Sequence, residues 1–118
     1  MGTDNQMIIP SKKLQYGFEL PVFGFGTWQI GGRETRDPNN DDKADIFAIK
    51  SAIEMGIAHI DTAAWYSEGH TEELVGEAIK GFGRSKLIIT TKVAPMNLHY
   101  NDVINSAKKS LKGSGQTM

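Results

Sequence analysis

The 118-residue chain contains no cysteine. Disulfides, thiolate metal sites and a cysteine nucleophile are thereby excluded, and the composition fits a reducing compartment. An excess of charge is also lacking: 13 Lys and Arg face 14 Asp and Glu, for a net charge of −1. That balance gives no compositional reason to expect a nucleic-acid partner or a polybasic membrane contact. No apolar run approaches the ~18 residues of a transmembrane helix. The opening Met1-Gly2-Thr3-Asp4-Asn5-Gln6 has neither the cationic nor the apolar block of a signal peptide. The expectation is a soluble, cytoplasmic protein whose residues 1–6 form a disordered tail or tag.

What is present is ordinary for a globular chain. The hydrophobic class is 39%, and with glycine counted it reaches the usual ~45–50%. Length alone predicts one domain, since domains cluster at about 100–150 residues. Met7-Ile8-Ile9 and Leu20-Pro21-Val22-Phe23 flank turn-prone Tyr16-Gly17 and read as a hairpin. Phe23-Gly24-Phe25-Gly26-Thr27-Trp28 continues as a glycine-rich strand, where absent side chains mark the close approach of a backbone or ligand. Gly31 to Asn40 is a long polar loop, expected to be functional or mobile.

From Asp41 the period becomes helical. Asn40, Asp41 and Asp42 offer caps, Ile46, Ile49, Ala52 and Ile53 form a stripe, and Gly56 is a natural stop. His59-Ile60-Asp61-Thr62-Ala63 is a strand candidate. Thr71-Glu72-Glu73 opens a second helix with Leu74, Val75, Ala78 and Ile79 on one side and Gly81 closing it. Leu87 to Val93 is β-branched throughout, which predicts a strand covered on both faces. Asn101 is the expected cap of a third helix with Val103, Ile104, Ala107 and Leu111 inward. After Gly113, residues 114–118 have linker-like chemistry. Alternating strands and helices spell a parallel α/β fold.

In such folds ligands bind beyond the carboxyl ends of the strands. Trp28 and Gln29 follow the first strand, Asp61 and Tyr66 the second, and Lys92 ends the third. A carboxylate, a phenol and an ammonium brought together there form a proton-transfer set, because a neighbouring cation favours phenolate. The alternative is a structural ion pair between Asp61 and Lys92, with Tyr66 a loop aromatic. Gly24-x-Gly26 begins a dinucleotide fingerprint, but Gln29 stands at the third glycine position and no helix opens there. His59-x-Asp61 could serve a small metal-dependent hydrolase, yet two candidates without further ligands do not make a metal site. His70 reads as a helix-start residue, and His99 lies with Pro95 and Met96 in the loop after the third strand.

Gly24-Phe25-Gly26-Thr27-Trp28, His59-Ile60-Asp61-Thr62-Ala63-Ala64-Trp65-Tyr66, Gly69 to Gly76 and Ile89-Thr90-Thr91-Lys92-Val93 together resemble the amino-terminal part of an aldo-keto reductase, from about Leu20 to Leu111. The resemblance implies a TIM (β/α)8 barrel that binds NADPH or NADH and reduces small-molecule aldehydes or ketones. It implies a catalytic tetrad of Asp, Tyr, Lys and His, whose first three members match Asp61, Tyr66 and Lys92. Gly26, Thr27 and Trp28 match the segment beside the nicotinamide, and Trp28 and Trp65 would line the substrate pocket.

The sequence departs from that pattern at the fourth strand. The tetrad His belongs there, and His59, His70 and His99 are not its equivalents. A full barrel needs ~250 residues and eight strands, whereas this chain supplies a hairpin and about three βα units over residues 7–113. The expectation is a partial barrel, truncated or joined after Leu111, inactive alone and without tight binding of the cofactor. Its open sheet edges would favour self-association or a complementary barrel fragment. A non-enzymatic assembly module is the alternative that follows.

Overall fold

In the computed structural model the described residues are 7–116. The 1–6 tail or tag reading therefore falls outside them. The chain opens with an antiparallel pair, β1 (Ser11–Lys13) and β2 (Glu19–Pro21). A parallel sheet follows in the order β3 (Phe25–Gly26), β4 (His59–Asp61) and β5 (Ile88–Thr90). Helix α1 (Asp42–Glu54) joins β3 to β4, α2 (His70–Ile79) joins β4 to β5, and α3 (Tyr100–Gly113) follows β5.

The hairpin is displaced from the expected one. Ile8 is 97% exposed and unpaired with any strand, and the ladder runs between Ser11 and Pro21 instead. The turn sets this register: Leu14 N–H donates to the Phe18 carbonyl at 2.6 Å, and Tyr16 takes a left-handed φ of 68°.

Strand register explains where the core sits. Phe25, Ile60 and Ile89 are partners across the three strands, and alternation turns that row to one face. Ile60 is fully buried there with Ile49 and Ile53 of α1 and Leu74, Val75, Ala78 and Ile79 of α2. The next row is Gly26, Asp61 and Thr90, on the opposite face. So β5 is not covered on both sides: its three residues are half-buried, because helices cover only the Ile89 side.

Helix α1 starts as expected, with the Asp41 carboxylate accepting from Ala44 N–H at 3.1 Å, and Gly56 ends it at φ +116°. Helix α3 does not match its expectation. Asn101 lies inside the helix, which begins at Tyr100 after His99 with no side-chain cap. Ser106 and Ser110 are its buried residues, while Val103 and Ile104 are exposed. Small side chains allow close approach to α2, and this decides the orientation. Ser114 continues that seam: it is buried, its hydroxyl donates to the Ser110 carbonyl at 2.7 Å, and its own carbonyl lies against Gly76. Ser114, in the stretch with linker-like chemistry, therefore packs against α2, while Gly115 is exposed and 117–118 lie outside the described residues.

Candidate functional site

The carboxyl ends of the three parallel strands are tied beyond their formal limits. Thr27 N–H and Oγ1 both donate to the Asp61 carbonyl, at 3.1 and 2.9 Å. Thr62 N–H donates to the Thr90 carbonyl at 2.8 Å, and Ala64 N–H to the Lys92 carbonyl at 3.0 Å. This ladder brings the strand exits into register and fixes the backbone from which Asp61, Tyr66 and Lys92 project.

The Lys92 ammonium meets both Asp61 carboxylate oxygens, at 3.0 and 2.9 Å, and donates to the Thr62 carbonyl at 2.7 Å. It also stands 5.3 Å from the centre of the Tyr66 ring, within the ~6 Å reach of a cation–π contact. Tyr66, Trp28 and Trp65 form a triangle of edge-to-face rings with centroids 5.1–5.3 Å apart. The expected residues thus lie together: Lys92 pairs with Asp61 and stands over the Tyr66 ring, and Trp28 and Trp65 pack edge-to-face with that ring. The Thr62 carbonyl, which completes the lysine's cradle, was not singled out in the sequence. Its only signal there was its place directly after Asp61.

Both members of the Asp61–Lys92 pair are about two-fifths exposed. At that exposure an ion pair contributes only ~0–1 kcal/mol, too little for a structural staple to be its main role. Gly26, partner of Asp61 in the ladder, faces open space: a Cβ there would meet nothing within 4 Å. Gly24 differs, since its Cβ would come 3.0 Å from His59 Nδ1. Gly26 therefore leaves an opening beside Asp61 and the buried Thr27.

The polar loop after Trp28 is fastened. Gly31 N–H donates to Asp45 Oδ2 at 3.0 Å, and Asn40 Nδ2 bridges Asp42 and Asp45 at 2.8 and 2.7 Å. Ser67 and Glu68, just after Tyr66, take left-handed φ values of 49° and 55°, at ~1–2 kcal/mol each for non-glycine residues. His70 lies between two carboxylates, with Nε2 2.8 Å from Asp42 and Nδ1 3.3 Å from Glu73, joining α1 to α2. His59 Nε2 is 2.8 Å from Thr90 Oγ1. Among the described residues no group of three or more His, Asp or Glu is placed to hold a metal ion. A groove of about 1240 Å³ runs between α2 and α3, with Trp65 at its edge and none of Asp61, Tyr66 or Lys92 in its wall.

A parallel α/β sheet whose strand exits gather a carboxylate, an ammonium and a phenol has the layout of the α/β class, in which ligands bind at the carboxyl ends of the strands. Residues 22–117 match the Aldo/keto reductase family, and the chain belongs to that family. The match runs through residues 114–116 as well. The chain is similar to methylglyoxal reductase YeaE of Escherichia coli (strain K12), at 37% identity over 93 residues, 79% of this chain and 31% of that protein. It is 46% identical over 79 residues to aldo-keto reductase YhdN of Bacillus subtilis (strain 168), covering 66% of this chain and 23% of the relative. Among solved structures, thermostable aldo-keto reductase Tm1743 in complex with the inhibitor epalrestat matches with a TM-score of 0.88 and 45% identity, over 92% of this chain and 39% of that one. The Bombyx mori aldo-keto reductase in complex with NADP matches with a TM-score of 0.76 and 32% identity, over 93% and 36% of the two chains. The chain spans less than two fifths of the length of each of these proteins. Its fold is accordingly a partial TIM barrel: the described residues form a hairpin and three βα units, with no closed sheet among them.

Proposed function

We propose that this chain carries the proton-donating part of the active site of an NAD(P)H-dependent reductase that converts small aldehydes or ketones to alcohols. The observation that carries the reading is the Lys92 ammonium held by both oxygens of Asp61 while standing beside the Tyr66 ring. A bound nicotinamide cofactor, NADPH or NADH, supplies the hydride. The chain's own residues handle the proton: Tyr66 donates it to the carbonyl oxygen, and the Lys92 charge stabilises the phenolate left behind. Asp61 and the Thr62 carbonyl hold Lys92 at that station. Gly26, Thr27 and Trp28 would flank the nicotinamide, and Trp28 with Trp65 would border the carbonyl substrate. The methylglyoxal reductases among the relatives support a small carbonyl compound. A cytoplasmic location belongs to the same proposal and rests on the absence of cysteine.

The test is a chimera in which residues 22–113 replace the matching stretch of YhdN. It should oxidise NADPH with methylglyoxal, and Tyr66→Phe should lower the rate about 10²–10⁴-fold, the usual worth of a positioned acid. A folded chimera indifferent to Tyr66→Phe would refute the assignment. The 118-residue chain alone is proposed to be inactive and to hold the cofactor weakly, since its three parallel strands offer no fourth-strand His. Turnover by the isolated chain that Tyr66→Phe abolishes would overturn that part.

A second reading, an assembly module without catalysis, is favoured by the outward face of α3. Val103 and Ile104 there are 36% and 38% exposed beside Leu98 at 68% and Tyr100 at 80%. Self-association or pairing with a complementary barrel fragment would cover that face.

A further inference from the structure

The turn after Tyr66 is held in an unfavourable backbone conformation by hydrogen bonds from another loop. Ser67 is fully buried and left-handed. Its Oγ accepts from Arg33 N–H at 2.9 Å and donates to the Ile30 carbonyl at 3.1 Å, while its own N–H donates to the Arg33 carbonyl at 2.5 Å. Glu68 Oε2 accepts from Arg36 N–H at 3.0 Å, and Thr71 Oγ1 donates to the Ile30 carbonyl at 2.5 Å. Gly31 leaves room for the clasp, since a Cβ on it would fall 3.2 Å from Ser67 Oγ.

A glycine would adopt the left-handed backbone more readily than serine. What serine adds at this position is the hydroxyl, and that hydroxyl reaches only the 30–33 loop. The two loops it joins carry the two rings in contact: Trp28 precedes Ile30 in one, and Tyr66 precedes Ser67 in the other, 5.1 Å apart. Left-handed residues persist where the surroundings over-determine them, and here the surroundings are the segment that follows β3.

We propose that Ser67 is a positioning residue, whose buried hydroxyl clasps the 30–33 loop and thereby fixes the Tyr66 ring against Trp28 and beneath Lys92. Its bearing on catalysis rests on the reading of Tyr66 as the proton donor; the clasp itself does not.

The test uses the 118-residue chain, whose only two tryptophans are Trp28 and Trp65. Their rings, 5.3 Å apart at 61°, should give a coupled near-ultraviolet circular dichroism signal specific to this triangle. Ser67→Ala and Ser67→Gly both remove the hydroxyl, and the second also relieves the backbone. Both should lose the coupled signal and speed Arg33 amide exchange about tenfold, the value of one hydrogen bond, with helical dichroism retained. A purely stabilising role would shift the melting temperature and leave the signal of the folded protein unchanged, which would overturn the proposal. If the variants do not fold, the unsubstituted chain still decides: Arg33 N–H should be protected from exchange relative to its exposed neighbours Glu34 and Thr35, and an unprotected Arg33 overturns the clasp. Tyr66→Phe should preserve Arg33 protection, so failure of the clasp and failure of the proton-donor reading give separate results.

Discussion

Lys92 and Asp61 illustrate how exposure decides the meaning of a contact. Their geometry is close, at 2.9 Å, yet water reaches both groups and weakens the attraction. Lys92→Met in the isolated chain is therefore expected to change stability by less than about 1 kcal/mol, measured by urea denaturation; a loss of several kcal/mol would restore the structural ion-pair reading. Asp42 behaves differently. The Asn40 amide that donates to it holds its carboxyl below the usual carboxylate range, partial burial opposes this, and His70 reinforces it. A carboxyl depressed in the folded state stabilises the fold above its unfolded value of about 3.9. That contribution is lost as pH falls through the lower folded value. Urea midpoints recorded from about pH 6 down to pH 2 should drop through this window. Asp42→Asn should flatten that part of the profile, and an unchanged slope would show that the acid sensitivity lies elsewhere.

At the scale of elements, α1 and α2 were legible because their apolar stripes face a sheet that supplies neighbours: Ile49, Val75 and Ala78 are fully buried. The same periodicity misplaced α3. An amphipathic pattern tells which residues are apolar, but not whether anything lies opposite them, and Ser106, Ser110 and Ser114 occupy the contact with α2. The strand exits were legible through Asp61, Tyr66 and Lys92, whose residue types carry the chemistry. The Ser67 clasp was not, since a left-handed serine leaves no periodic trace. Gly76 tests the α2–α3 seam. Alanine in a helix interior is worth about 0.5–1 kcal/mol over glycine, so substitution would ordinarily stabilise. Here the new Cβ would stand 2.7 Å from the Ser114 carbonyl oxygen and 2.8 Å from its carbon, both backbone atoms. Overpacking of that kind costs about 1–3 kcal/mol, which exceeds the gain. Gly76→Ala should lower the urea midpoint, and a more stable variant would show that residue 114 does not sit on α2.

The whole molecule is a slab, 44 × 42 × 21 Å, with a radius of gyration of 14.8 Å. A compact domain of this length would measure about 13.5 Å. The excess has a structural source: helices cover the Ile60 face of the sheet, whereas Gly26, Asp61 and Thr90 line the other. Among the described residues β3 and β5 each have a partner on one side only. Unpaired strand edges and uncovered apolar side chains both favour association, and Phe23 at 65%, Leu98 at 68% and Tyr100 at 80% exposure add to the drive. Two surfaces compete for the role: the sheet edge at β5 and the outward stripe of α3. The isolated chain should scatter light with a mass that rises with concentration above the 13.0 kDa of one copy. Ile104→Lys on the α3 stripe should return the mass toward that of a single chain while leaving helical dichroism intact. If mass stays high in that variant, the strand edge is the contact, and Ile89→Pro should then abolish it, because residues 88 and 90 bond to β4 and the Ile89 N–H is the donor on the open side. A sharp-melting monomer at every concentration would contradict both surfaces, and with them the assembly reading of this part of the barrel.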